Sequence, residues 1–200
     1  IFPVDSEHSA IWQCMVGESF SDVEKIILTG SGGPFRTRPI NTFKDIDVLE
    51  ALNHPNWEMG KKITIDSATM MNKGLEVIEA YWLFNIDVSM IDIVVHPQSI
   101  IHSMVEFKDS SIKAQMGVPD MKVPIQYALT YPNHLSAPWE RLDFKLIGDL
   151  SFEAPDFDRF PCIKLAYMSL DRMGSTPAVL NMANDYSVYK FLNSEIKFTE

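Results

Sequence analysis

The residues most able to carry chemistry in this sequence are three carboxylates. Asp5 and Glu7 lie two residues apart near the start of a predicted helix, and Glu76 lies on a longer predicted helix. If the three converge in a cleft, a cation has to compensate their charge, because a buried unpaired charge is strongly unfavourable. An all-oxygen set without a nearby cysteine favours Mg²⁺ or Mn²⁺ over zinc. The alternative is structural, with Asp5 capping its helix and Glu7 favouring the positive helix end.

A glycine-rich turn, GSGGPF at residues 30–35, follows a predicted strand. It does not fit the dinucleotide-binding pattern G-x-G-x-x-G, because Phe35 occupies the third glycine position and Pro34 lacks an amide donor. A turn that presents backbone amides and the Ser31 hydroxyl to a single phosphate fits better. A purely structural turn is the alternative.

A third candidate segment is DSATMMNKGLE, residues 66–76. It places hydroxyl groups at a predicted helix start, with the Asn72 amide and the Lys73 ammonium further along the helix. A helix N-terminus of this kind binds anions well, so Ser67, Asn72 and Lys73 are candidates for a phosphate site. In the structural alternative, Asp66 or Ser67 caps the helix and Lys73 is a solvated lysine.

The loop HPNWEMG, residues 54–60, combines turn-forming residues with an aromatic side chain. Trp57 either belongs to a lid that excludes water from a ligand or docks on the core. His54 is a candidate acid, base or phosphate ligand, and the alternative is a hydrogen-bonded structural histidine. His96 and His102 have the same two interpretations.

Helices and strands of ordinary length are predicted to position these residues. The helix at 69–84 carries an apolar stripe at helical spacing, which is expected to face the core. The stripe consists of Met71, Leu75, Ile78 and Trp82. Predicted helices span residues 6–15, 45–52, 69–84, 122–129, 162–173 and 176–191. Predicted strands span residues 25–29, 63–67, 92–95, 101–107 and 111–116, and the last two are expected to form a hairpin.

Strands flanked by helices indicate an α+β fold. We expect a catalytic domain with a mixed β-sheet flanked by helices, followed by a truncated all-helical domain. The predicted boundaries are 1–140 for the metal- and substrate-binding domain, 141–160 for a connecting segment and 161–200 for the start of a C-terminal helical domain. The chain opens on Ile1 rather than Met, so it is expected to be a fragment of a longer protein.

Composition limits the possible partners. The 200 residues are 46% hydrophobic and 22% charged, which is typical of a globular protein. A formal net charge of −10 without a basic cluster argues against nucleic acid as a partner, and the apolar stretches are too short to span a bilayer. Cys14 and Cys162 are isolated, which is typical of inert packing thiols in a reducing, cytoplasmic compartment. Any anionic ligand must therefore be held by local groups.

Seven strings of this sequence, taken in order, resemble one family closely. They are PVDSEH, LTGSGGPF, HPNWEMG, DSATMMNKGLE, HPQSIIHSM, GVPDM and EAPDFDRFPC. Together they resemble the 1-deoxy-D-xylulose 5-phosphate reductoisomerases, over essentially the whole chain. The resemblance implies a metal-dependent rearrangement and NADPH-dependent reduction of 1-deoxy-D-xylulose 5-phosphate to 2-C-methyl-D-erythritol 4-phosphate, in the non-mevalonate isoprenoid pathway.

The resemblance also implies roles for individual residues. The metal ligands would be Asp5, Glu7 and Glu76, and the catalytic residues Lys73, His54 and Glu76. The substrate-binding residues would be Ser6, Ser31, His54, Trp57, Met59, Ser67, Asn72, Lys73 and His102, of which His54, Trp57 and Met59 lie on a flexible lid. Gly30 and Met121 would lie beside the cofactor.

The implied cofactors are Mg²⁺ or Mn²⁺ and NADPH. NADPH would be bound mainly by an N-terminal domain that this sequence does not contain, so the chain alone is not expected to perform the reduction. The resemblance further implies a homodimer formed through the catalytic domain.

The expected chemistry is retro-aldol cleavage between the third and fourth carbons, recombination of the fragments and reduction of the aldehyde. Two alternatives stay open: a non-catalytic module that binds metal and sugar phosphate and dimerises, and a metal-dependent sugar-phosphate lyase.

Overall fold

The computed structural model describes residues 1–54 and 59–200 of the chain. These residues form two compact units, and each unit contains two separate chain segments. The first unit comprises Ile1–Ser31 and Ser89–Ala154, and the second comprises Gly32–Val88 and Pro155–Glu200. This grouping differs from the domain boundaries proposed from the sequence, which stay a prediction about the whole protein.

The described regions contain both α-helices and β-strands. The helices are α1 Ser6–Cys14, α2 Val48–Ala51, α3 Lys61–Ala68, α4 Met71–Phe84, α5 Lys122–Thr130, α6 Pro161–Arg172 and α7 Thr176–Leu192. The strands are β1 Val23–Gly30, β2 Ile91–Val95, β3 Ile101–Phe107 and β4 Ile112–Met116. In the described regions, β1 lies between α1 and the helices α2–α4, and β2–β4 follow one another before α5–α7. Short 3₁₀ turns lie at Phe20–Asp22, Ile40–Asp45 and Val88–Met90. Among the described helices, none has both the length and the apolar character needed to cross a membrane.

The first unit is built on a mixed four-stranded sheet in the order β2-β1-β3-β4. β1 pairs in parallel with β2, with Leu28 opposite Ile93, and antiparallel with β3, with Leu28 opposite Ser103. β3 and β4 form the predicted hairpin, in which the Asp109 carboxylate accepts a hydrogen bond from the Ser111 amide at 2.9 Å. The predicted α+β class, with a mixed sheet flanked by helices, is therefore confirmed.

Apolar packing fixes α1 on this sheet. α1 lies against β3 and β4, and its Ile11 is fully buried, as are Ile26 and Val105 of the sheet. α5 packs on α1, where the rings of Trp12 and Tyr127 lie 4.9 Å apart. The helix start that carries the predicted acidic pair is therefore held in place by the core of the first unit.

The second unit consists of helices and loops in its described part. α4 packs on α3 and α6, and α7 packs on α3 and α6. α4 and α6 approach closely because position 74 is glycine: a Cβ there would lie 2.9 Å from the Ala166 Cβ. Phe198 packs edge-on against the rings of Phe35 and Phe43, at 5.2 and 5.9 Å. These contacts fix the buried face of α4, the helix that carries the third predicted carboxylate.

The strand predicted at 63–67 is wrong, because this segment lies inside α3. The alternation of Ile63, Thr64 and Ile65 favours a strand, in which the two isoleucines would share one face. In the structure Ile65 is 2% exposed and Ile63 is 38% exposed, as their offset around a helix requires. Packing of α3 against α4 and α7 overrides the local β-propensity.

The apolar stripe predicted for α4 is wrong at Trp82, which is 62% exposed. Leu75 and Ile78 are only partly buried. The buried positions are Met71, Lys73, Gly74, Glu76, Val77 and Ala80. α6 packs closely on α4 because the residues on this face of α4 are small. α4 therefore buries small and charged side chains, and Trp82, its largest side chain, is exposed.

The helix predicted at 45–52 is shorter in the structure, where it corresponds to α2. Asp47 and Glu50 form a capping box: the Asp47 carboxylate accepts from the Glu50 amide at 2.8 Å, and Glu50 Oε2 accepts from the Asp47 amide at 3.2 Å. Because of this capping box, the helix begins at Val48 rather than at residue 45, where apolar spacing predicts its start. Leu49, expected on an apolar face, is 80% exposed. All other predicted helices and strands are present, with ends shifted by at most a few residues.

Candidate functional site

Asp5 is the N-cap residue of α1. Its carbonyl oxygen accepts a hydrogen bond from the Ser9 amide at 2.8 Å, whereas its carboxylate makes no capping hydrogen bond. The carboxylate oxygen Oδ2 instead lies 4.0 Å from Nδ1 of His8. The structural alternative for Asp5, side-chain capping of the helix, is therefore not observed.

The first turn of α1 also carries Ser6, Glu7 and His8. The Ser6 hydroxyl donates a hydrogen bond to Glu7 Oε2 at 2.6 Å. His8 is 1% exposed, and reasoning from the sequence overlooks it. The signal that would have found it is its spacing, three residues after Asp5 on the same helix face. Two carboxylates and a buried imidazole thus belong to one helix turn.

Ser6 and His102, both predicted substrate residues, line one pocket of the first unit. His102 lies on β3 and is 8% exposed, and a Cβ at position 117 would lie 3.4 Å from its Nε2. Gly117 therefore lies beside the imidazole. The other lining residues are Gln13, Gln115, Asp120, Val123 and Pro124. The enclosed space is only about 10 Å³, roughly that of one water molecule, so binding of substrate by Ser6 and His102 stays a prediction.

Ser31 follows β1 at the edge where the parallel strands β1 and β2 end, which is where open α/β sheets bind ligands. After it the chain turns through Gly32 and Gly33, whose φ angles are 84° and 68°. A Cβ on Gly33 would lie 2.6 Å from the carbonyl oxygen of Ser67. The turn therefore requires glycine for its backbone conformation and for this close approach.

His96 follows β2 and is fully buried. Its backbone amide donates to the Gly30 carbonyl at 2.7 Å, and its Nδ1 lies 2.9 Å from the Ser151 carbonyl oxygen, so Nδ1 carries a proton. The imidazole stacks on the ring of Phe152 at 4.9 Å. These contacts favour the structural interpretation of His96.

Ser67 lies in the last turn of α3, so its predicted placement at a helix start is wrong. Thr69 and Met70 separate α3 from α4, and Met70 has a left-handed backbone with φ of 59°. Such a conformation is unfavourable for a non-glycine residue and persists only where the surroundings enforce it. The two helices are therefore separate elements with a fixed junction.

Neither Asp66 nor Ser67 caps α4, whose N-cap residue is Met70. The side chain that contacts the helix start belongs to Thr69. Its hydroxyl oxygen accepts a hydrogen bond from the Met71 amide at 3.3 Å. Asp66, Ser67 and Thr69 all carry groups suitable for capping, so residue type alone does not identify which one contacts the helix start. With α4 beginning at Met71, Asn72 falls in its first turn.

Lys73, Asn72 and Glu76 form a buried polar cluster on α4. Lys73 Nζ lies 2.5 Å from Glu76 Oε2, and Asn72 Nδ2 donates to Glu76 Oε1 at 2.5 Å. Lys73 is 4% exposed and Glu76 1% exposed, so Lys73 is not a solvated lysine. A buried ion pair adds little stability, because desolvation offsets the attraction. The pair is therefore a candidate for a functional role.

His54 and Met59, two of the residues predicted to lie on the lid, are both partly buried. Burial lowers the pKa of His54 below its ordinary value of 6.5. The imidazole is therefore neutral at neutral pH and able to accept a proton. Trp57 lies outside the described residues, so the lid stays a prediction.

Gly30 and Met121, predicted to lie beside the cofactor, both belong to the first unit. Gly30 is the last residue of β1. Met121 is the N-cap residue of α5 and is 36% exposed. Their role in cofactor binding stays a prediction.

The two thiols are poor metal ligands. Burial raises the pKa of Cys14 to about 11, although Lys113 opposes the shift. Burial likewise raises the pKa of Cys162. Both thiols therefore stay protonated at neutral pH, and a metal needs the thiolate. The three predicted ligands, Asp5, Glu7 and Glu76, all offer carboxylate oxygen atoms.

The candidate metal ligands are distributed over both units. Asp5 and Glu7 belong to the first unit, and Glu76 belongs to the second. Within each unit the carboxylates lie beside polar partners, which are Ser6 and His8 in the first and Lys73 in the second. Their convergence on one ion stays a prediction.

Comparison with known proteins gives a consistent result. A family model described as the 1-deoxy-D-xylulose 5-phosphate reductoisomerase C-terminal domain matches residues 1–84, and one described as the DXP reductoisomerase C-terminal domain matches residues 116–200. A 1-deoxy-D-xylulose 5-phosphate reductoisomerase from Chloroherpeton thalassium is 65% identical over 198 residues, which cover 99% of this chain and 51% of the relative. Its counterpart from Acetivibrio thermocellus is 59% identical over 200 residues, with coverages of 100% and 52%. The chain spans about half the length of the curated relatives it matches.

Solved structures give the same result. The chain is similar to a crystal structure of DOX-P reductoisomerase in complex with NADPH, fosmidomycin and magnesium, with a TM-score of 0.95 and 45% identity over 100% of this chain and 51% of that one. It is also similar to 1-deoxy-D-xylulose 5-phosphate reductoisomerase from Zymomonas mobilis in complex with NADPH. There the TM-score is 0.91 and the identity 48%, over 98% of this chain and 51% of that one.

Proposed function

The chain belongs to the 1-deoxy-D-xylulose 5-phosphate reductoisomerase family, and we propose that it supplies the metal and substrate site of an NADPH-dependent reductoisomerase. The whole enzyme would convert 1-deoxy-D-xylulose 5-phosphate to 2-C-methyl-D-erythritol 4-phosphate. The observation that carries the proposal is the buried Lys73–Glu76 pair on α4. By the resemblance, Lys73 would be a catalytic and substrate-binding residue, and Glu76 would be a metal ligand.

We propose that Asp5, Glu7 and Glu76 hold Mg²⁺ or Mn²⁺. The donor set fits such an ion, because all three donors are carboxylates and burial keeps the thiols protonated. The related DOX-P reductoisomerase structure in complex with magnesium supports the choice. When bound, such an ion supplies Lewis-acid stabilisation of negative charge on substrate oxygens.

The chain's own residues would bind and orient the sugar phosphate. We assign the phosphate to Ser31, Ser67, Asn72 and Lys73, because a protein with a net charge of −10 must attract an anion with short-range donors. Ser6 and His102, which share a pocket, would bind the hydroxyl-bearing part. Holding both fragments of a retro-aldol cleavage in one cavity favours their recombination over escape.

Proton transfer and exclusion of water would involve the segment before α3. His54 is neutral at neutral pH because burial lowers its pKa, so it can accept a proton from a substrate hydroxyl. Trp57 and Met59 would cover the ligand and exclude water from the aldehyde. NADPH, which the related structures contain, would supply the hydride for its reduction, beside Gly30 and Met121.

We propose that the whole enzyme is a homodimer. Within the described residues, β4 pairs with β3 alone and forms one edge of the sheet. An edge strand offers unpaired backbone groups that a second copy can meet. Ile112 on β4 is 54% exposed, which supports apolar contact at this edge. The two free thiols, Cys14 and Cys162, support a reducing, cytoplasmic location.

Glu76→Gln in the whole enzyme tests the proposed function. The loss of one ligand charge is expected to lower kcat/KM for 1-deoxy-D-xylulose 5-phosphate by about 100-fold or more and to weaken Mn²⁺ binding. NADPH oxidation and calorimetric Mn²⁺ titration measure the two effects. Glu24→Gln, which changes an exposed glutamate of β1, is the matched control and is expected to change neither. Full activity and full Mn²⁺ affinity in Glu76→Gln would refute the metal site.

A further inference from the structure

We propose that Asn184 is a positioning residue that sets the substrate affinity through Asp66 and Ser67. This inference rests on the proposed function, because it takes Ser67 as a substrate contact. Asn184 lies on α7, a helix that contains none of the predicted site residues. Its influence on the substrate would be exerted entirely through α3.

Asp66 is the centre of a polar network between α3 and α7. Its carboxylate accepts a hydrogen bond from Asn184 Nδ2 on Oδ1 at 2.8 Å, and its Oδ2 lies 2.6 Å from Lys62 Nζ. Lys62 Nζ also lies 3.1 Å from Asp185 Oδ1. Polar contacts therefore link α3 to α7. They join two residues one turn apart on α3, Lys62 and Asp66, to the adjacent residues 184 and 185 of α7.

The burial of Asp66 distinguishes this network from ordinary surface ion pairs. Asp66 is 1% exposed, whereas Lys62 and Asp185 are 43% and 44% exposed in their side chains. Burial alone would lower the pKa of Lys62, but its hydrogen bonds to Asp66 and Asp185 raise it, so Lys62 stays charged. A buried carboxylate contributes little net stability. Fully satisfied buried networks do, however, fix the relative geometry of the elements they join.

Ser67 follows Asp66 directly and depends on the same helix turn. On one side, Gly33 packs so closely that a Cβ there would lie 2.6 Å from the Ser67 carbonyl oxygen. Beyond Ser67, the Thr69 hydroxyl lies 3.2 Å from the carbonyl oxygen of Asp66. Ser67 belongs to the last turn of α3 and moves with it. A shift of α3 against α7 would therefore displace the Ser67 hydroxyl. A displacement of about 1 Å at a substrate contact is enough to weaken binding.

Asn184→Ala in the whole enzyme tests this role. Loss of one hydrogen bond is expected to raise KM for the sugar phosphate about three- to tenfold while kcat changes less than about twofold. Asn181→Ala, one turn earlier on α7, is the matched control and is expected to leave KM unchanged. A residue that only stabilised the fold would lower the melting temperature and the amount of active enzyme without changing KM.

An exchange of the two side chains makes the test specific. Asp66→Asn and Asn184→Asp are each expected to raise KM, because each single change removes the carboxylate–amide pair. The double variant restores one amide and one carboxylate in contact, so its KM is expected to return toward the original value. Unchanged KM in Asn184→Ala and in both exchanged single variants would overturn the proposal. Failure of Asp66→Asn to fold would leave the decision to Asn184→Ala.

Ser67→Ala separates this inference from the function on which it rests. If Ser67→Ala leaves KM unchanged, Ser67 is not a substrate contact, and that part of the proposed function fails together with the positioning role. If Ser67→Ala raises KM and the Asn184 variants do not, only the positioning role is overturned. If both raise KM and the exchanged double variant restores it, the proposal is supported.

Discussion

At the scale of single residues, the buried pair on α4 links stability to ligand binding. Lys73 and Glu76 each compensate a charge that would be very unfavourable if the other were absent. The proposed function gives each a second partner, a phosphate for Lys73 and a divalent ion for Glu76. A substitution at either position therefore changes two quantities that have to be measured separately.

Lys73→Met in the whole enzyme is expected to weaken the affinity for a phosphonate substrate analogue by about 1.5–3 kcal/mol, the range for a hydrogen bond to a charged group. In the metal-free enzyme it is also expected to lower the free energy of unfolding by about 3–5 kcal/mol, because Glu76 is then buried without a counter-charge. Calorimetric titration measures the first effect, and urea unfolding in the presence of a chelator measures the second.

The double variant Lys73→Met with Glu76→Gln is the control for this prediction. It removes both charges, so most of the free energy of unfolding is expected to return while the phosphonate affinity stays low. If Lys73→Met binds the analogue normally with metal binding intact, the phosphate lies elsewhere. If it unfolds at the same urea concentration as the original enzyme, the buried pair is not a stability determinant.

At the scale of elements, Gly74 sets the distance between α4 and α6. Gly74→Ala is expected to lower the free energy of unfolding by about 1–3 kcal/mol, although alanine favours helix, because the new Cβ would lie 2.9 Å from the Ala166 Cβ. Adding Ala166→Gly removes the opposing methyl group and is expected to recover part of this loss. Urea unfolding measures both variants. A Gly74→Ala enzyme of unchanged stability would show that the two helices separate without loss.

Apolar spacing could predict elements with a periodic buried face, such as β2 and β3, whereas β4 has no buried residue. It failed where a buried face is built from small or charged residues. Trp82 was expected on the buried face of α4 because it is large and correctly spaced, whereas small residues such as Gly74 and Ala80 are the buried ones. Ile63 and Ile65 look like one face of a strand, and only packing against neighbouring helices shows that they diverge.

The candidate site was predictable by residue type and order, but its local contacts were not. The spacing of Lys73 and Glu76 is visible in the sequence, whereas their burial depends on how α4 packs. His8 was missed because its signal is its spacing from Asp5, three residues earlier on the same helix face, rather than its residue type. Thr69 was missed because the sequence does not show that one helix ends and another begins beside it.

At the scale of the whole molecule, the β4 edge gives the proposed dimer a testable basis. Ile112→Glu in the whole enzyme is expected to raise the dimer dissociation constant about tenfold or more, since burying an isoleucine contributes roughly 1.5–3 kcal/mol. Analytical ultracentrifugation measures the constant. Ile40→Glu changes an isoleucine of similar exposure in the second unit, 52% against 54%, and serves as the control. Equal dissociation constants for the two variants would place the dimer contact away from β4.

The division of each unit into two chain segments has a consequence for synthesis on the ribosome. β1 ends at Gly30, and its parallel partner β2 begins at Ile91. At a translation rate of about 5–20 residues per second, roughly 3–12 seconds pass between the synthesis of β1 and the synthesis of its parallel partner. During this interval the apolar residues and backbone groups of β1 are open to any other nascent strand. The newly made chain is therefore expected to need a holding chaperone until residues 89–154 have been translated.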